Sequence, residues 1–158
     1  MLIVGLAVLA ASTIGLFLLF EPALSWYYQL AWWSFILAAD GLNRRLSGRS
    51  LLRDRPREFL WLAGLSVAWW CVFELLNLRL GNWYYVMNHP QRWARWAGGI
   101  AAFATVLPAV VETLELAANL GLWRTVRARP LRWTRRKEAV TLTLGLLFFA
   151  LPLLWPER

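Results

Sequence analysis

Apolar residues form five long runs along the chain, and the charged residues lie almost entirely in the gaps between these runs. A helix needs about 20 predominantly apolar residues to cross the hydrocarbon core of a bilayer, and each run is close to that length. The pattern therefore predicts an all-α fold, a polytopic transmembrane helical bundle of about five spans that forms one domain over residues 1–158. The predicted spans are 2–20, 23–39, 59–80, 98–122 and 139–155.

Basic residues predict the orientation of this bundle. Thirteen of the seventeen Lys and Arg residues lie in two polar segments, 40–58 and 124–138. Because the cytoplasmic loops of membrane proteins are rich in Lys and Arg, we expect both segments on the cytoplasmic side. The N-terminus is then predicted in, and the aromatic segment 81–96 and the C-terminus are predicted out. The same rule accounts for the net charge of +8, so no nucleic-acid partner is predicted.

Polar side chains recur at helical spacing inside two of the predicted spans. The third span carries Glu74 and Asn77, and the fourth carries Glu112, Glu115 and Asn119. Residues three or four positions apart share one face of a helix, so each set forms a stripe. A charged group at the centre of a bilayer costs about 2.5 to 3.5 kcal/mol on insertion scales, which directs such groups to the interior of a bundle. We expect the two stripes to face each other and to form a polar intramembrane network.

Three interpretations of this network remain open at the level of the sequence. In the first, the carboxyl and amide groups hydrogen bond across helices and hold the bundle together. In the second, a protonated carboxylic acid among Glu74, Glu112 and Glu115 acts as a catalytic proton donor to an apolar substrate. In the third, the polar groups dock onto a partner subunit. The residue types and their spacing are the same in all three interpretations.

Aromatic side chains cluster around the outer end of the third span. Trp and Tyr are enriched at both interfaces of membrane proteins, so an interfacial belt explains the cluster. A pocket or interface for an isoprenoid or a pigment is the alternative. The residues concerned are Trp69, Trp70, Trp83, Tyr84 and Tyr85.

Metal and thiol chemistry receive little support from the composition. His89 is the only histidine, and Cys71 is the only cysteine. Because stable metal sites need several converging ligands, no metal site is predicted, and His89 is the single candidate ligand. The sequence contains no phosphate-binding loop, nucleophile elbow or zinc-protease motif.

The segment that closes the third span resembles that of an uncharacterised family of bacterial integral membrane proteins with the motif W-x-x-F-E-x-x-N-x-x-x-x-N-W-x-Y. The residues that carry the motif here are Trp70, Phe73, Glu74, Asn77, Asn82, Trp83 and Tyr85. Members of that family are longer and carry a second, diverged copy of this unit, which the present sequence lacks. The resemblance covers most of the chain and implies a helical protein of the cytoplasmic (inner) membrane of a bacterium, with no established activity.

A looser resemblance is to the small bacterial and archaeal lycopene cyclase domains. Those domains carry a Gly-x-Trp segment and then a Leu-Pro-x-Glu-Glu helix that is followed by an Asn. The order is similar here, with Gly81-Asn82-Trp83, then Leu107-Pro108, Glu112 and Asn119. This sequence lacks the adjacent Glu pair and has a longer distance from Pro to Glu. The resemblance implies an acid catalyst at Glu112 or Glu115.

These observations predict a non-catalytic helical membrane protein, a small structural or accessory subunit of a larger membrane assembly. Its expected partners are the lipid bilayer and other membrane protein subunits, and its expected ligands are a bound lipid, a carotenoid or a chlorophyll-type pigment. The alternative is a membrane-embedded enzyme that acts on an isoprenoid or lipid substrate. That enzyme would use an intramembrane Glu as proton donor, and its aromatic cluster would stabilise a developing carbocation by cation–π contact.

Overall fold

The computed structural model describes residues 1–86, 89–122, 124–127 and 132–154, and this part of the chain contains helices, turns and loops without a strand. The predicted all-α class is therefore confirmed. The helices are α1 (Leu2–Phe17), α2 (Ala23–Ser47), α3 (Leu51–Asp54), α4 (Pro56–Leu80), α5 (Arg92–Phe103), α6 (Val106–Asn119) and α7 (Arg135–Leu154).

Three helices among the described residues are long and apolar enough to cross a membrane. They are α4, the nearly continuous pair α5–α6 (Arg92–Asn119) and α7. The helix α1 is also apolar, but its 16 residues extend only about 24 Å, which is less than the roughly 30 Å of bilayer hydrocarbon. Length and hydropathy thus support membrane insertion, while the total of five spans and the orientation stay predictions.

The helix α2 continues beyond residue 39, where the second span is predicted to end. Asp40 and Asn43 are buried on this helix because polar groups of neighbouring elements bind their side chains. The helix ends at Ser47, and Gly48 follows with a φ of +76°, a left-handed conformation that suits glycine at a helix C-terminus. The polar segment 40–58 therefore begins as helix.

Other helices also begin before the predicted spans. The helix α4 begins at Pro56, α5 at Arg92 and α7 at Arg135. Long basic side chains can extend along a helix towards the lipid headgroups, so a helix can continue past the hydrocarbon with Arg on its first turn. The predicted end of the fifth span at Trp155 lies outside the described residues.

The chain divides into two compact units. The first, here called the main unit, contains Met1–Trp70 and Tyr85–Arg124, and the second contains Cys71–Tyr84 and Thr125–Arg158. In the main unit, α2 packs against α1, α5 and α6. The second unit contains the end of α4 together with α7, a helix in which no described residue is buried.

The helices α1 and α2 approach each other closely at two glycines. A Cβ atom on Gly5 would lie 2.7 Å from both the backbone nitrogen of Ala38 and the carbonyl oxygen of Ser34. A Cβ atom on Gly41 would overlap the backbone nitrogen of Leu2. Small residues allow this kind of backbone approach between helices in membranes. The contact places the beginning of α1 beside the polar end of α2.

The pair α5–α6 is interrupted just after Phe103. Pro108 lies in the first turn of α6 and has no N–H group to donate to the carbonyl oxygen of Ala104. Ser66 of α4 lies at the break, where its hydroxyl donates to the carbonyl oxygen of Phe103 at 2.5 Å and accepts from the backbone N–H of Leu107 at 3.2 Å. One side chain of a neighbouring helix thus binds two main-chain groups at the interruption.

Candidate functional site

Two carboxyl groups of the described residues have no exposed surface. They belong to Glu112 of α6 and Asp40 of α2, and each is 0 % exposed. Burial of a carboxyl group in apolar surroundings is unfavourable unless hydrogen bonds compensate for the lost water. The residues that surround these two groups are here called the carboxyl cluster, which consists of Asp40, Asn43, Ser50, Glu112 and Asn119.

Asn43 joins α2 to α6 through three hydrogen bonds. Its amide nitrogen donates to Glu112 Oε2 at 2.7 Å and to the carbonyl oxygen of Glu112 at 3.0 Å. Its amide oxygen accepts from Nδ2 of Asn119 at 2.9 Å. Two residues of the predicted intramembrane network, Glu112 and Asn119, are therefore brought together by a partner on α2.

Asp40 is bound by the beginning of the short helix α3. The Ser50 hydroxyl donates to the Asp40 carboxyl group and lies 2.8 Å from each of its oxygens. The backbone N–H of Leu52 donates to Asp40 Oδ1 at 3.1 Å. Ser50 is also the N-cap of α3, because its hydroxyl accepts from the backbone N–H of Arg53 at 3.0 Å. Asp40 thus ties α2 to the turn that precedes α4.

Asp40 and Glu112 are close enough to interact directly. The carboxyl group of Asp40 lies near that of Glu112, so the charge of Asp40 acts on Glu112. Glu112 Oε1 is buried. As a carboxylate oxygen it has no hydrogen-bond donor among the described residues. A proton on this oxygen would make it a donor to Asp40, and two close carboxyl groups in a dry site resist being ionised together. The pair can therefore hold one proton.

Glu115 lies outside the carboxyl cluster and forms an ion pair. Its Oε1 accepts from Nη2 of Arg55 at 2.5 Å, and Arg55 also pairs with Glu58 at 3.2 Å. The hydrogen bond to Glu115 raises the pKa of the Arg55 guanidinium above its usual value, against the opposite effect of burial. Glu115 therefore connects α6 to the turn that begins α4.

In the second unit, Glu74 and Asn77 hold the segment that follows α4. Gly81 has a φ of +62°, which turns the chain back after the helix. The Asn77 side chain then binds both main-chain groups of Trp83: its nitrogen donates to the carbonyl oxygen at 2.8 Å, and its oxygen accepts from the N–H at 3.2 Å. One helical turn earlier, Glu74 Oε1 accepts from the indole N–H of Trp83 at 3.2 Å. The Glu-x-x-Asn spacing thus forms a C-terminal cap of α4 that binds Trp83 at both its main chain and its ring.

Asn77→Ala is expected to release this aromatic turn while α4 stays folded. Removal of the side chain leaves two main-chain groups of Trp83 without their partner, a local loss of about 1 to 3 kcal/mol. Hydrogen-exchange mass spectrometry should then show about tenfold faster exchange at residues 81–84 and no change at 60–70. Glu74→Gln is the matched control, because a glutamine oxygen still accepts from the indole. An equal acceleration in both variants would contradict the capping role of Asn77.

The predicted aromatic cluster is divided between the two units. In the main unit, the indole N–H of Trp70 donates to the Tyr85 hydroxyl at 3.3 Å, and the Trp70 ring packs on Phe103 with centroids 5.6 Å apart. Trp69 is exposed in the main unit, and Tyr84 in the second unit is 85 % exposed. Tyr84 follows the end of α4, and an exposed ring at such a position is typical of an interfacial belt, whereas Trp69 lies in the middle of the helix.

His89 makes a packing contact in the main unit. Its ring lies 6.0 Å from that of Trp26 between centroids, and its Nδ1 accepts from the backbone N–H of Gln91 at 3.2 Å. Within the described ranges, no group of three or more His, Cys, Asp or Glu side chains is arranged to hold a metal ion. The contacts of His89 are therefore those of a packed side chain at the beginning of the segment before α5.

The facing of the two predicted stripes is a separate question. Glu74 and Asn77 belong to the second unit, whereas Glu112, Glu115 and Asn119 belong to the main unit. Each of these residues has a hydrogen-bond partner within its own unit. The facing of the stripes across the bundle stays a prediction.

Sequence reasoning missed three members of the carboxyl cluster, namely Asp40, Asn43 and Ser50. The sequence assigns them to the polar segment 40–58, because the charged residues begin there. A signal for the first two was present, since one face of α2 continues through Asp40 at steps of three and four residues. The residues at this spacing are Trp33, Ile36, Asp40, Asn43 and Ser47.

Comparisons of the chain with protein-family models, with curated proteins and with solved structures find no match. The two family resemblances drawn from the sequence therefore stay predictions. Function must be inferred from the fold and from the polar and aromatic contacts of this chain.

Proposed function

We propose that this protein is a non-catalytic helical membrane protein that acts as a small structural or accessory subunit of a larger membrane assembly. One observation carries the proposal: the glutamates of the predicted network are each hydrogen bonded to other side chains of the fold. Glu112, Glu115 and Glu74 each accept a hydrogen bond from a neighbouring side chain, and Glu112 has no surface open to a substrate. Carboxyl groups used in this way hold helices and turns together, which is a structural role.

The apolar surface of the long helices also supports this role. Only 11 % of the apolar stretch of α4 is buried. The apolar stretch of α7 has no buried residue among the described ones. Large side chains such as Trp61 on α4 and Phe148 on α7 are exposed. In a bilayer, such a surface contacts lipid chains or the helices of other proteins. We assign part of this surface to partner helices, lipids or pigments.

Cross-linking at Cys71 tests the subunit role. Cys71 is the only cysteine of the sequence and is exposed on α4. In native membranes, a thiol-linked photocross-linker at Cys71 is expected to give one stoichiometric adduct with another membrane protein. Leu75→Cys in a Cys71→Ser background places the thiol one turn along the same exposed face and is expected to give the same adduct. Cys71→Ser alone is the thiol-free control.

Two results of these experiments would contradict the subunit role. A chain that stays monomeric in lipid nanodiscs prepared from native membranes, and that gives no adduct from either thiol position, would contradict the subunit role. Adducts of many sizes in equal amounts would also contradict it, because random collisions in the membrane would then account for them.

An enzymatic role is the second candidate, and the pairing of Asp40 with Glu112 favours it. Since the pair can hold one proton, Glu112 could act as the acid that protonates a double bond of an isoprenoid or lipid substrate. Glu112→Gln separates the two roles, because glutamine retains the hydrogen bond with Asn43 but cannot transfer a proton. Supplied lycopene is the test substrate. If the unchanged protein converts lycopene and a folded Glu112→Gln variant does not, the enzymatic role is supported and the subunit role is contradicted.

A further inference from the structure

A cavity of about 400 Å³ lies in the main unit, where the beginning of α1 meets the end of α2 and the helix α3. Its walls are of two kinds, one apolar and one cationic. The apolar wall comes from α1, and the cationic wall comes from guanidinium groups of α2 and α3. The lining residues that matter here are Leu2, Ile3, Arg44, Arg45 and Arg53.

The position of the cavity follows from the close approach at Gly41. Because any Cβ atom there would meet the backbone of Leu2, α1 begins directly against α2 at the level of its last turns. Arg44 and Arg45 lie in the last turn of α2, just beyond this contact. The apolar start of α1 is thereby placed next to basic side chains that the sequence assigns to the membrane surface.

The guanidinium group of Arg44 has a buried donor without an acceptor: its Nη1 is buried and has no hydrogen-bond acceptor among the described residues. A buried donor without an acceptor is unfavourable, and more so when the group is charged. The ion pairs found in the described ranges involve Arg55, and none of them involves Arg44, Arg45 or Arg53.

Two acidic side chains that are close in sequence to these arginines, Asp40 and Asp54, bind other groups. Asp40 accepts from Ser50 and from the backbone of Leu52, and Asp54 accepts from the backbone N–H of Ser50 at 2.9 Å. The described lining of the cavity therefore includes three arginine side chains and no carboxylate, and one of these arginines, Arg44, has a buried N–H group without an acceptor in the described part of the chain. Both features favour the binding of an anion.

We propose that this cavity is a binding site for a phosphate group. Guanidinium groups bind phosphate through pairs of parallel N–H···O hydrogen bonds, and three of them compensate for its charge. The apolar wall formed by Leu2 and Ile3 would contact the carbon chain of an amphiphilic phosphate, such as the headgroup region of an anionic phospholipid. Basic pockets beside membrane helices bind lipid phosphates in this way. The site is independent of the subunit role, because it uses none of the exposed faces of α4 and α7.

Native mass spectrometry of the full chain tests the site. Protein released from nanodiscs that contain equal amounts of phosphatidylglycerol and phosphatidylcholine is expected to retain phosphatidylglycerol selectively. Arg44→Gln should lower the retained fraction about tenfold, the effect of one lost charged hydrogen bond. Arg45→Gln and Arg53→Gln change exposed side chains of the same cavity and should lower it severalfold, so the test stands even if Arg44→Gln does not fold.

Arg49→Gln and Arg57→Gln are the matched controls. Each removes the same charge from the same polar segment, and neither residue lines the cavity. Both are expected to retain phosphatidylglycerol as the unchanged protein does. Equal losses in the control and cavity variants would show general charge attraction and overturn the proposal.

Inorganic phosphate distinguishes the two sources of the anion. Retention of phosphatidylglycerol that resists added inorganic phosphate would assign the site to a lipid. Displacement of the lipid by inorganic phosphate, or binding of inorganic phosphate that depends on Arg44 and Arg45, would assign it to a soluble phosphate. Failure of both probes to bind would overturn the site and leave the cross-linking result at Cys71 unaffected.

Discussion

Asn43→Leu is expected to lower the free energy of unfolding by about 3 kcal/mol, because it removes the hydrogen bonds that join α2 to α6. Leucine has the same number and branching of side-chain heavy atoms as asparagine, so the variant leaves polar groups without partners and creates no empty space. Glu112 loses the donor of its Oε2, and Asn119 loses its acceptor. Thermal unfolding in mild detergent, followed by size exclusion and by helicity, measures the change.

Glu112→Gln is the matched variant for this prediction. Its side-chain oxygen can still accept from Asn43, and its amide nitrogen can donate to Asp40 in place of the shared proton. Its stability is therefore expected within about 1 kcal/mol of the unchanged protein. Stability of Asn43→Leu equal to that of the unchanged protein would show that the carboxyl cluster does not hold α2 on α6. A Glu112→Gln variant as unstable as Asn43→Leu would contradict the arrangement of one proton between the two carboxyl groups.

Gly5→Ala is expected to lower the free energy of unfolding by about 2 kcal/mol, although it adds only one methyl group. The added Cβ atom would lie 2.7 Å from backbone atoms of Ala38 and Ser34, and helix backbone cannot move aside as the end of a flexible side chain can. The helix α1 must therefore shift away from α2 along its length. Unfolding in sodium dodecyl sulfate, followed by loss of the folded form in size exclusion, measures the effect.

Gly64→Ala provides the comparison, since it places the same methyl group within a helix where nothing lies within 4 Å. Alanine is favoured over glycine inside a helix by about 1 kcal/mol, so this variant is expected to be as stable as the unchanged protein or slightly more stable. If Gly5→Ala and Gly64→Ala unfold at the same denaturant concentration, the close contact between α1 and α2 is not required for stability.

The helices α4, α5–α6 and α7 could be predicted because long apolar runs suffice to define a membrane-spanning helix. The continuation of α2 was harder to predict. Hydropathy falls at Asp40, so a span defined by hydropathy alone ends there. The helix continues because Asp40 and Asn43 form hydrogen bonds with other elements of the fold. The end of α2 thus depends on contacts with residues that are distant in the sequence, and local composition does not show these contacts.

The carboxyl cluster shows the same limit for the candidate site. Helical periodicity correctly places Glu112 and Asn119 on one face of α6, but it cannot say which residue meets that face. The partner of Glu112 is Asn43, which lies 69 positions away in the sequence. The role of Asn77 was equally hidden, because its hydrogen bonds to Trp83 exist only after the chain turns at Gly81. A spacing can indicate a stripe, and only the fold identifies what the stripe binds.

Ser66 has a consequence for the biogenesis of the protein. A regular helix satisfies its own main chain and can enter the bilayer alone, whereas the interruption between α5 and α6 leaves the Phe103 carbonyl and the Leu107 N–H dependent on the Ser66 hydroxyl. Hydrocarbon contains no water to replace that hydroxyl. The fourth predicted span is therefore complete only when α4 already lies beside it. Translation provides this order, because α4 emerges from the ribosome before α5 and α6 and can receive them in the membrane.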